Sequence, residues 1–148
     1  MEYPSDKFVP EIVKLLNNGH TVTLPVRGNS MRPLLKGGRD KILISKPTEI
    51  NIGDIVLAYI PSHRYVLHRI IKKSPNKILL LGDANITPEQ CSYNDIKGKA
   101  VGFYSSGQTL RSMNSTKLRI YSYVWTKAYR IRILLLLCLR RIKKKAKI

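Results

Sequence analysis

Gly53-Asp54-Ile55-Val56-Leu57-Ala58-Tyr59-Ile60 and, after a break at Pro61-Ser62-His63-Arg64, Tyr65-Val66-Leu67-His68-Arg69-Ile70-Ile71 are the two runs that decide the fold class. Both are dominated by β-branched, aliphatic and aromatic residues, which suit a pleated, largely buried surface, and both stop at residues that favour turns. Similar runs over 21–26, 41–45, 77–81 and 99–104 are bounded by Gly, Pro, Asn or Asp. With strands at 54–60 and 65–71, six short strands are expected. The fold class is therefore mainly β, in one compact domain. Ahead of them, Val9, Ile12, Val13, Leu15 and Leu16 fall at helical spacing, with Pro10 suited to a first turn and Gly19 to a stop, which predicts a short amphipathic helix.

The 148 residues carry a formal charge of +18, and its placement is uneven. All nine carboxylates lie between Glu2 and Asp95, whereas positions 96–148 hold 14 Lys and Arg and no acid. A β-rich domain over 1–110 followed by a basic segment over 111–148 is the expected organisation. Residues 105–116 are polar and Gly/Ser-rich, as a loop would be. Residues 120–125 read as strand or irregular, and 128–147 as a helix. On that helix Ile131, Leu134, Leu135, Cys138 and Ile142 share one face, opposite crowded Arg and Lys. The apolar face has two possible destinations, an anionic membrane surface or the β core. The longest apolar run, 133–139, is too short to span a bilayer, which needs about 20 residues. Two isolated cysteines, Cys91 and Cys138, provide neither a disulfide framework nor a metal motif, so a reducing compartment and no cofactor are expected. The first residues, Met-Glu-Tyr-Pro-Ser-Asp, lack the basic and apolar pattern of an export signal. A cytoplasmic location, peripheral on the inner membrane face, follows as an expectation.

Three short segments carry candidate chemistry. Arg27-Gly28-Asn29-Ser30-Met31-Arg32-Pro33 leaves a strand, turns on Gly and Asn, and presents a serine before a proline. A serine held at such a turn can be both exposed and rigid, as a nucleophile must be, although most serines in such turns only cap them. His68 is a polar interruption of an apolar strand; a neutral imidazole can accept a serine proton, or it can simply be a half-buried hydrogen-bonding residue. In Leu80-Leu81-Gly82-Asp83-Ala84-Asn85-Ile86-Thr87-Pro88-Glu89, a strand runs into a turn with carboxylates at 83 and 89. Either could orient an imidazole, and Asp83 could equally be making local turn bonds.

The order of these segments, together with Gly53-Asp54-Ile55-Val56 and Ile96-Lys97-Gly98-Lys99-Ala100-Val101-Gly102, resembles the successive motifs of the signal peptidase I / LexA-like serine peptidases over residues 20–104. In the bacterial signal peptidase and LexA branches the base is a lysine followed by arginine. His68-Arg69 in that position resembles instead the serine–histidine branch, represented by small stand-alone bacterial members without an N-terminal membrane anchor. The resemblance implies a serine endopeptidase that cleaves an extended signal- or leader-like peptide, with Ser30 as nucleophile and His68 as general base. Glu89 or Asp83 would be the supporting acid, with Glu89 slightly preferred. Gly28, Asn29 and Met31 would line the substrate, and the Ser30 backbone N–H would serve the oxyanion. The expected partners are a peptide or protein substrate and, through the basic helix, anionic membrane; no specific nucleic acid is expected. The alternative is a catalytically silent module that binds peptide or nucleic acid through the tail.

Overall fold

The computed structural model describes residues 2–3, 8–106 and 109–147. Strand β1 (Glu2–Tyr3) precedes helix α1 (Phe8–Asn17), followed by β2 (Val22–Pro25), β3 (Lys41–Ser45), β4 (Ile55–Ile60), β5 (Arg64–Ser74), β6 (Lys77–Leu81) and β7 (Glu89–Cys91). A 3-10 turn at Tyr93–Asp95 leads into β8 (Ile96–Ser105), β9 (Thr109–Ser112), α2 (Thr116–Lys127) and α3 (Tyr129–Ala146). The domain is mainly β, as expected, with helices at both ends. Its strands join in one sheet of order β2-β3-β8-β4-β5-β6-β7, with β1 added to β5 and β9 to β8. Every pairing is antiparallel. Register shifts at Leu43/Ile44, Leu57/Ala58 and Ile70/Lys72 act as bulges, which bend strands and increase twist, and the sheet curls into a half-barrel.

Strand alternation distributes the core over the two faces of the sheet. On β4, Ile55 and Leu57 join a cluster with α1 residues Val9, Ile12 and Leu16 and with Met31, Leu35 and Phe103. Val56, Ala58 and Ile60 join a second cluster with Val66, Ile70, Ile78, Leu80 and Cys91. Residues 66, 68 and 70 of β5 therefore share the second face, while Leu67 and Arg69 lie on the first.

The C-terminal third departs from the sequence expectation. Residues 109–112, read as loop, form β9 and pair with β8 through Gly102↔Ser112 to Ser105↔Thr109. Residues 120–125, read as strand or irregular, belong to α2. The ordering influence there is tertiary: Leu118 packs on the first cluster, and Ser122 and Tyr121 meet Arg69. The apolar residues of α3 do not dock on the β core. Ile131, Leu134, Leu135 and Ile142 are 60–64% exposed, whereas Arg132 is buried.

Helix α1 crosses the sheet at Gly98, where a Cβ would stand 2.4 Å from Ile44 Cγ2 and 3.1 Å from Leu16 Cδ1. Gly98→Ala is expected to destabilise the domain by about 1–3 kcal/mol, the usual cost of overpacking. A urea midpoint equal to that of the wild type would mean α1 does not pack this closely.

Candidate active site

Register explains which side chains meet at the β5 edge. Glu89 pairs with Leu80, Leu80 pairs with Ile70, and Ile70 shares its face with His68. That sequence of pairings brings Glu89 to His68: Oε2 lies 2.8 Å from Nδ1, at ion-pair distance although outside aligned hydrogen-bond geometry. The other carboxylate oxygen of Glu89 is taken by Arg64, from the start of β5. His68 is 1% exposed, and its Nε2 has no hydrogen-bond partner among the described residues. A buried polar nitrogen without a partner costs stability, so a functional reason for it is expected.

Asp83 serves a different group. Arg69 Nε and Nη2 hold its two carboxylate oxygens at 2.8 and 2.7 Å, and both side chains are fully buried. Because residues 68 and 69 point to opposite faces of β5, one strand separates the two candidate acids. Glu89 meets the histidine and Asp83 meets the arginine. Asp83 is therefore not positioned to orient His68; its carboxylate is already committed to a bidentate pair.

Ser30 lies on the turn that faces this end of the sheet. Its carbonyl accepts the Ala84 N–H at 2.8 Å, fixing the serine turn to the loop that follows β6. Gly82 allows that contact, since a Cβ there would lie 2.8 Å from the Ser30 carbonyl oxygen and 2.7 Å from Asn85 Nδ2. Gly28 has φ +69° and its carbonyl accepts the Gly37 N–H at 3.1 Å, closing the base of the same loop. Gly28 and Asn29 are exposed beside the serine. Met31 is 1% exposed and belongs to the first core cluster, which corrects its expected place on the substrate: it anchors the turn from below. Sequence reasoning missed two participants. Arg64 was read as part of the break between strands, and β1, which pairs with Tyr65 and Val66 just ahead of His68, is too short to have a sequence signature.

The motif order and this geometry agree with a comparison against protein-family models: the model described as Peptidase S24-like matches residues 2–101. The chain belongs to the Peptidase S24-like family. No curated protein matches it. Membership corrects the branch drawn from His68-Arg69. The catalytic pair of this LexA-like family is serine with lysine, so placement in the serine–histidine branch does not stand, and neither does the serine–histidine mechanism inferred from it. The presence of histidine at position 68 is not sufficient to define the chemistry of an S24-like chain.

Burial lowers the pKa of His68 below its ordinary value of 6.5, against the opposing pull of Glu89. Contact with His68 lowers that of Glu89 below 4.5, against the cost of burial. For both groups the unfolded chain takes up a proton at a higher pH than the native one, so acid removes stability. Stability is expected to fall as the pH drops below 6.5, with a further loss below 4.5. His68→Asn should flatten the first decline, measured as urea midpoints from about pH 7 to 5. Parallel curves for wild type and variant would show that His68 is not held neutral.

Proposed function

We propose that the chain is a serine-type peptidase that cleaves an extended peptide with Ser30 as its nucleophile and His68 and Glu89 as neighbouring site residues. The observation that carries this reading is the family match across the serine turn and the β5–β6 end of the sheet. The Ala84–Ser30 tether supports it, because a nucleophile gains rate only when its approach is fixed beforehand. Ser30→Ala is expected to abolish cleavage while leaving the fold intact, and an uncleaved peptide should accumulate in cells that carry the variant. Identical profiles of peptide termini in wild-type and Ser30→Ala cells would remove the reading. His68→Lys introduces the family's lysine into β5. Alone, it would be kept protonated by Glu89; with Glu89→Gln, burial would favour the neutral amine. The double variant should therefore cleave on the order of tenfold faster than His68→Lys. Equal rates would mean that a lysine at position 68 does not act with Ser30 as the family's pair does.

The C-terminal helix is basic and suits a peptide or protein partner. Among the described residues no helix is long and apolar enough to cross a membrane. A peripheral contact with anionic lipid on the inner membrane face is the further part of the proposal, and the specific support for it is the uncovered face of Ile131, Leu134, Leu135 and Ile142. Arg140, Arg141, Lys143, Lys144 and Lys145 follow on the same helix, each worth about 1 kcal/mol when set near an anionic surface. Full-length protein is expected to sediment with phosphatidylglycerol-containing vesicles and not with phosphatidylcholine alone. High salt, Leu135→Glu, or deletion of 140–148 should release it. Binding that survives Leu135→Glu, or that nucleic acid displaces at equal affinity, would reduce the helix to a nonspecific polycation.

A further inference from the structure

A cavity of about 600 Å3 opens between the sheet and α2, on the face of β5 opposite His68 and Glu89. Its size is that of a small-molecule site. Three cations line it, Lys46, Lys99 and Arg119, against one carboxylate, Asp54. Lys99 is already neutralised: its Nζ lies 2.8 Å from Asp54 Oδ2 and also donates to the Glu49 carbonyl at 3.2 Å. Lys46 and Arg119 have no such counter-charge among the described residues, and positions 96–148 contain no acid to supply one. Two positive charges therefore remain in the lining, Lys46 beside the end of β3 and Arg119 on α2.

Neutral donors reinforce them. Asn51 and Asn114 line the same space, and Asn114 immediately precedes the N-terminus of α2. The N-cap Ser115 makes no side-chain capping bond, so the first-turn N–H groups of this 12-residue helix are not satisfied by it. Residues 115–118 do not line the cavity, so the helix contributes only the partial positive charge of its end, and direct contacts to an anion fall to the side chains. The combination of an ammonium, a guanidinium and two amides fits a multiply charged oxyanion better than a single carboxylate. The volume leaves room for an organic group attached to it, and the rim carries Tyr123, 66% exposed.

We propose that this cavity binds a phosphoryl anion carried on a small organic group. Its position gives such a ligand a route to the peptidase site. Gly53 and Ser122 form part of the cavity wall, and both accept from Arg69 Nη1, at 2.8 and 2.7 Å, behind that wall. Arg69 in turn holds Asp83, next to the Ala84 N–H that tethers Ser30. Binding itself does not depend on the peptidase reading and is measured without turnover.

The test uses full-length protein titrated calorimetrically with inorganic phosphate and with glycerol 1-phosphate, and by sedimentation with phosphatidylglycerol vesicles. Lys46→Gln/Arg119→Gln is compared with Lys72→Gln/Lys77→Gln, which loses the same charge on the β5–β6 hairpin; all four side chains are exposed, so both variants should fold. Saturable 1:1 binding of glycerol 1-phosphate is expected, weakened at least tenfold in the first variant and little changed in the second. If the natural source is a lipid headgroup, glycerol 1-phosphate competes with the vesicles and the first variant also binds them less well. If it is a soluble ester, vesicle binding is unchanged while ester binding is still lost. No saturable binding of either phosphate, or equal weakening by the two variants, would overturn the proposal.

Discussion

The buried pair Arg69–Asp83 is the contact on which the rest of the arrangement depends. Removing a guanidinium and a carboxylate from water is costly, and such a pair persists only with close geometry and with its remaining donors satisfied. Here both conditions hold. Two bonds of 2.7–2.8 Å join the charges, and the spare Nη1 donates to the Gly53 carbonyl and to Ser122 Oγ. Five parts of the chain therefore converge on one ion pair: β5, the turn after β6, the loop before β4, α2, and α3 through Arg132, whose Nη1 lies 3.9 Å from Asp83. Loss of either partner would leave an uncompensated buried charge, a penalty of about 3–5 kcal/mol.

This constraint also orders the serine turn. The turn that carries Asp83 carries Ala84, whose N–H fixes Ser30, and Gly82, which admits the serine carbonyl. Holding Asp83 therefore holds the serine turn. On β5 the side chain preceding Arg69 is His68, so the strand that anchors one face delivers the imidazole to Glu89 on the other. Adjacent residues do unrelated work because a strand presents them in opposite directions.

The legible parts of the sequence were those with local causes. The strands at 41–45 and 77–81 were found with their observed bounds, and 54–60 within one residue, because Gly, Pro and Asn end them locally; the strand expected at 65–71 runs on to Ser74. The helix at the N-terminus followed from its periodicity. What failed had non-local causes. Ile120–Trp125 has strand-like composition but forms a helix because Leu118, Tyr121 and Ser122 find partners on the body of the domain. β9 is ordered by its pairing with β8, which no local signal announces. Asp83 and Glu89 could not be separated from a linear reading, since the distinction lies in cross-strand register. The branch of the family was misread for a related reason: one residue type at position 68 was weighed above the match of the chain as a whole.

The hold of the C-terminal helices on the domain has an unusual physical character. Two cations, Arg69 and Arg132, approach a single carboxylate, so Arg132 is not attracted by a full unpaired charge; burial and the neighbouring Arg69 lower its pKa, with Asp83 the main opposing influence. Aromatic contacts supplement the ion pairing. Tyr121 and Trp125 stack at 5.4 Å, Arg132 lies 4.9 Å from the Trp125 ring centroid, and Arg69 lies 5.7 Å from that of Tyr121. Cation–π contacts of this kind contribute about 0.5–2 kcal/mol each, more as water is excluded. The inner face of the helices thus carries polar and aromatic contacts beside Leu118, while Ile131, Leu134, Leu135 and Ile142 face outward. A helix meant only to cap the sheet would place Leu134 and Leu135 where Arg132 lies. The opposite orientation leaves the apolar face free for another surface and ties the inner face, through Ser122 to Arg69 and through Arg132 beside Asp83, to the ion pair that steadies the serine turn.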